Sequence, residues 1–156
     1  MTETRPRCRP PPPAILRMIY DHQRWLATNG RFGKRLEVRD GLQLKDCDCE
    51  GVDFSGAILD GGVQFKGGSV RGACFVGTSL SEATFDSCDV GDADFTRANL
   101  SWATFATNHK DARFEGSDFA NTAWSAEEGE RMFARRLERD STMLHSLFRV
   151  IGPNPG

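Results

Sequence analysis

The sequence predicts an all-β solenoid, a four-sided coil closing about every twenty residues, with a helical element at each end. Three observations predict it. From Val38 to Trp124 a large residue recurs every five positions, a period that neither an α-helix nor a plain strand repeats. The residue two places earlier is mostly small, as in Ala93, Ala98 and Ala103 before Phe95, Leu100 and Phe105. Reading every fourth large residue together then sorts them by type. Leu44, Phe65, Phe85, Phe105 and Trp124 form one column, and Phe54, Phe75, Phe95 and Phe114 another. Val38, Leu59, Leu80, Leu100 and Phe119 form a third, and Cys49, Val70, Val90 and His109 the last. Chance would scatter these types; a square coil stacks each residue on its like.

Residues 1–13, MTETRPRCRPPPP, read as a disordered, extended Arg/Pro-rich tail, because four consecutive prolines fix φ and remove backbone donors. Residues 14–35 are a capping helix and connector. Ile15, Met18, Ile19, His22 and Leu26 share one stripe of a helix from about Ala14 to Thr28, and Asn29-Gly30 ends it. A helix this short is marginal alone, so its stripe must cover something. The repeat occupies 36–126. Its two six-residue steps, Val38 to Leu44 and Leu59 to Phe65, fall at one corner, where Gly41 and Gly61-Gly62 supply permissive backbone. A four-residue step from Phe105 to His109 makes ATNHKDA the least regular coil. Residues 127–151 keep helical spacing through Phe133, Leu137, Leu144, Leu147, Phe148 and Ile151, with Ser125 and Glu128 as a capping box. Asp140-Ser141 interrupts that stripe, predicting a bent helix or a helix pair before the tail at 152–156.

The units VDFSG, ADFTR, ANLSW, ATFAT, ARFEG and SDFAN resemble the repeated unit of pentapeptide-repeat proteins. HQRWLATNGRFGKR is similar to the lead-in of many bacterial members. The resemblance implies a right-handed quadrilateral β-helix of about four to five coils, roughly 22 Å long at the usual interstrand spacing. Such a stack exposes backbone only at its two ends, where solenoids place caps.

Charge is unevenly distributed. Residues 1–41 hold nine Lys/Arg and four Asp/Glu, a balance of +5; residues 42–126 hold six and thirteen, −7; residues 127–156 hold five and five. No apolar run is long enough for a signal peptide or a membrane span, and five cysteines without a CxxC pair suit a reducing cytoplasm. Cys47, Cys49 and Cys88 take inward positions and act as small hydrophobes, so Cys47-Asp48-Cys49 is not read as a metal site. Cys8 and Cys74 are the thiols expected to be accessible. His22, His109 and His145 lie far apart, and no nucleophile or carboxylate accompanies them in a catalytic arrangement. The expectation is therefore no catalytic residue, no cofactor and no metal.

Two contact surfaces are predicted. The first comprises two separate partner-binding candidates: Trp102, an outward corner residue that equally suits packing beneath a terminal helix, and the apolar C-terminal stripe of Met143, Leu144, Leu147, Phe148 and Ile151. It suits an interaction scaffold or adaptor whose partner is another protein or a second copy. The C-terminal helix has three outcomes open to it, folding back on the coil, homodimerising or docking to another protein, and no direct contact to nucleic acid is expected. The second surface is an acidic edge of Asp48, Glu50, Asp53, Asp89, Asp92, Asp94 and Asp111. Quinolone-resistance members of the family bind DNA gyrase by imitating duplex phosphates, so the resemblance implies a gyrase inhibitor or protector as the alternative. The −7 balance and the interrupting Arg71, Lys110 and Arg113 depart from that group.

Overall fold

The computed structural model describes residues 8–107, 111–125 and 148–151. Helix α1 (Pro13–Ala27) precedes eight short strands: β1 (Glu37–Val38), β2 (Gln43–Lys45), β3 (Ile58–Leu59), β4 (Gln64–Lys66), β5 (Thr84–Asp86), β6 (Thr104–Ala106), β7 (Thr122–Ser125) and β8 (Phe148–Ile151). All pairing is parallel and runs from coil to coil. One side of the solenoid is the sheet β2-β4-β5-β6-β7-β8, and its register aligns Leu44, Phe65, Phe85, Phe105 and Trp124. The other three sides are ladders through Asp48–Ser69–Asp89, through Asp53–Cys74–Asp94–Arg113 and through Ile58–Ser79–Asn99–Asp118. Each ladder residue immediately precedes a large one, so the four columns read from the sequence are the four inner walls. His109, in the second column, lies outside the described residues.

A five-residue side requires a sharp corner. The residue two places after the large one takes φ between 52° and 80° at Asp46, Gly51, Gly56, Gly61, Gly67, Gly72, Gly77, Glu82, Ser87, Asp92, Arg97, Trp102, Gly116 and Asn121. This left-handed slot explains why half of those positions are glycine. Asp or Asn just before the large residue caps the same turn. Side-chain oxygens of Asp48, Asp53, Asp89, Asp94, Asn99 and Asp118 accept the N–H two residues on, at 2.9–3.0 Å.

The interior is two crossed aromatic stacks. Phe54, Phe75, Phe95 and Phe114 lie parallel at 4.9–5.1 Å, as do Phe65, Phe85, Phe105 and Trp124 at 4.7–5.0 Å. Between stacks the rings meet edge to face, at 82–88° from Phe65–Phe75 to Phe105–Phe114, an arrangement the ring quadrupoles favour. Ala73, Ala83, Ala93, Ala98 and Ala103 make room for them at the wall. Where a hydroxyl replaces alanine it is bonded: Thr78, Ser117 and Thr122 donate to carbonyls one coil back, at 2.7 Å.

The ends depart from the sequence reading in two places. Residues 8–12 are not a free tail. Arg9 pairs with Cys47, donating to Asp46 O and accepting from Asp48 N at 2.7 Å each, and so covers the third side of the first coil. Phe148–Ile151 is not the last turn of a helix. It is strand β8, in register with β7 from Thr122↔Phe148 to Ser125↔Ile151. An uncovered β7 would leave a row of backbone groups unpaired, and the β-branched Val150 and Ile151 suit a strand. The predicted helical stretch before it, with Met143, Leu144 and Leu147, lies outside the described residues.

Candidate interaction surfaces

Helix α1 lies across the N-terminal end of the coil, as a cap. Pro13 at its first position supplies a φ already suited to a helix. Ile19 and His22 are buried beneath it, with Ile15 and Met18 partly so. The cap does more than cover apolar surface. Gln23 Nε2 donates to Asp53 O at 2.7 Å, and His22 Nε2 contacts Ser55 O at 3.1 Å. One coil on, the equivalent carbonyls of Cys74 and Val76 accept from Phe54 N and Gly56 N, at 2.7 and 3.0 Å. Two helix side chains thus take the place of the N–H groups that a preceding coil would supply. A cleft of about 580 Å³ opens between α1 and the first coil, lined by Met18, Leu36, Val38 and Leu42 with Lys34 and Arg39.

Of the sequence-predicted contact residues, Trp102 is 53% exposed. It occupies the left-handed corner slot at φ +61°, where it is the bulkiest side chain of the series. The structure adds three exposed apolar residues at the capped end: Leu16, Tyr20 and Phe32, at 43%, 63% and 61%. Leu16 and Tyr20 sit one turn apart on the outer face of α1, a spacing visible in the sequence beside the inner apolar stripe. Trp102 is three coils away from them, so these residues form separate surfaces.

The acidic residues do gather on two adjacent sides and their shared corner. Asp48 and Asp89 lie on one ladder, and Asp53 and Asp94 on the next. Several carboxylates are already engaged. Arg71 reaches Asp89 at 3.5 Å and Asp92 at 3.2 Å, Glu50 accepts from Ser69 Oγ at 2.9 Å, and the four ladder aspartates cap their own turns. Asp111 is exposed.

No disulfide links any of the five cysteines. Burial pushes the Cys49 and Cys88 thiols up to about 12 and raises Cys47 as well, so all three stay protonated. Cys8 and Cys74 are half-buried, and Cys74 Sγ lies 3.0 Å from Ser55 Oγ. Among the described residues, no group of three His, Cys, Asp or Glu is placed to hold a metal ion, and no helix is long and apolar enough to cross a membrane.

Residues 69–105 match the family model of pentapeptide repeats, in eight copies. Among solved structures, a pentapeptide repeat protein from the Arabidopsis thaliana thylakoid lumen aligns at 24% identity and TM-score 0.26, over 63% of this chain and 73% of that one. QnrB1, a plasmid-mediated fluoroquinolone resistance protein, aligns at 16% identity and TM-score 0.19, over 65% and 95%. At such TM-scores neither alignment bears on fold or role. No curated protein sequence matches the chain.

Proposed function

We propose that the chain, which carries pentapeptide repeats over residues 69–105, works as a protein–protein interaction scaffold in the cytoplasm and carries out no catalysis. Trp102 is the observation that carries this reading. Holding a bulky residue in the left-handed region costs about 1–2 kcal/mol relative to glycine, and exposing an indole forgoes its burial. The other described corners use glycine or polar residues, so Trp102 is the one large apolar side chain that the series places in this slot. Tryptophan is the residue most enriched at the energetic centres of protein interfaces. The solid aromatic interior gives the corner a rigid mount, which lowers the entropy lost on binding. Five cysteines without a disulfide suit a reducing compartment.

Trp102→Gly is the test, with Arg97→Gly at the equivalent corner of the previous side as the control. The Trp102→Gly variant is expected to melt no lower than the parent, because relief of backbone strain offsets the lost indole packing. It should nonetheless lose the proteins, or the second copy, that the parent and Arg97→Gly retain in a quantitative capture experiment. Equal retention by all three would overturn the assignment.

The DNA-mimic alternative draws on the acidic edge, whose continuity Arg71 breaks. A gyrase supercoiling assay separates the two readings: we expect no inhibition at micromolar protein, and dose-dependent inhibition would favour mimicry.

A further inference from the structure

His22 is fully buried at the junction of helix, connector and coil. The Leu36 N–H donates to its Nδ1 at 3.1 Å, so that nitrogen must carry a lone pair. The ring proton therefore sits on Nε2 and is donated to Ser55 O. Trp25 stacks on the ring at 5.5 Å and 15°, one turn along the helix. Only neutral imidazole satisfies both bonds. A second proton would set Nδ1–H against the Leu36 N–H, two donors facing each other in a site closed to water.

We propose that α1 is an acid-releasable cap: protonation of His22 breaks its bond to Leu36 and frees the helix from the first coil, opening the N-terminal edge. The charged groups facing the ring oppose one another. Asp53, from the coil, favours the imidazolium, and Arg35, from the connector, disfavours it and lies 6.0 Å over the Trp25 ring. Burial is the larger influence and holds His22 below its ordinary value of 6.5. The closed form thus binds fewer protons than the open form. Closure is complete above about pH 6.5 and weakens as pH falls from there toward the lowered value, by at most tenfold per pH unit for one proton. In the open form Asp53 O and Ser55 O lose their side-chain donors and become acceptors for an incoming strand.

Amide hydrogen exchange on the full chain tests this. Leu36 N–H reports the cap, and Phe95 N–H, bonded to Arg113 O at 2.7 Å, reports the coil. The ratio of their protection factors is expected to fall several-fold between about pH 6.5 and about pH 5, with Phe95 unchanged. Ring ¹⁵N shifts at about pH 7.5 should show the Nε2–H tautomer. His22→Gln offers an amide oxygen and an N–H without a titrating group, so its ratio should stay flat across the same range. A wild-type ratio independent of pH, an equal fall in His22→Gln, or the Nδ1–H tautomer would each overturn the proposal. If His22→Gln does not fold, the wild-type ratio and the tautomer decide it.

Discussion

Phe95→Asp is expected to abolish the folded coil. Phe95 is fully buried, lies parallel to Phe75 at 4.9 Å and Phe114 at 5.1 Å, and meets Phe85 and Phe105 edge to face. Truncating such a ring costs about 3–5 kcal/mol through lost transfer energy and the cavity left behind. The carboxylate adds several kcal/mol more, since all four surrounding rings are apolar and offer it no donor. Together these match or exceed the roughly 5–15 kcal/mol that holds a typical domain folded. Thermal unfolding followed by circular dichroism should show no cooperative transition for Phe95→Asp. Phe95→Ala should remain folded with a melting temperature well below the parent's. A Phe95→Asp variant that melts with the parent would mean that the register of the repeat is wrong.

The second large effect is expected at the corner with an extra residue. Gly61 has φ +80°, and a Cβ there would overlap the Arg39 carbonyl oxygen and come within 2.9 Å of Gly41 N. The obstacle is backbone in the preceding coil, not a side chain that can swing away. Gly61→Ala therefore combines left-handed strain of about 1–2 kcal/mol with displacement of the first coil from the second, for a total of about 3 kcal/mol. At this chain length that lowers the melting temperature by roughly 6–12 °C. The neighbouring glycine separates the two causes. Gly62 has φ +85°, but a Cβ there meets only Glu82 O, at 3.8 Å, so Gly62→Ala should carry the strain alone, about 1–2 kcal/mol, and lose less than Gly61→Ala. Equal losses in the two variants would show that steric overlap between coils plays no part.

The glycines at this corner illustrate what could be read in advance. Two six-residue steps coincide with Gly41 and Gly61-Gly62, which is visible in the letters alone. The contact of Gly61 with the carbonyl of Arg39 is not, since it depends on how far one coil stacks above the next. Trp102 is similar. Its outward corner position follows from its place two after Leu100, whereas its φ of +61° and 53% exposure are set by the folded coil. The acidic edge is legible as a set, because the repeat places Asp before the large residue. That its ladder aspartates cap their own turns, and that Arg71 spans Asp89 and Asp92, required three dimensions.

By itself the sequence determined the coil: its period, its four walls, the stacking of Phe95 on Phe75 and the corners where glycine stands. The reason is that a solenoid is nearly one-dimensional. Each residue meets its counterpart one turn away, so the pattern that builds the core is written at a constant spacing. Only the tertiary structure decided how the rod ends. Arg9 on Cys47, Gln23 and His22 on the Asp53 and Ser55 carbonyls, and Phe148–Ile151 along β7 are each made once, between segments with no fixed spacing. Their partners are backbone groups, which any residue type presents alike, so no letter in the sequence marks where such a contact will form.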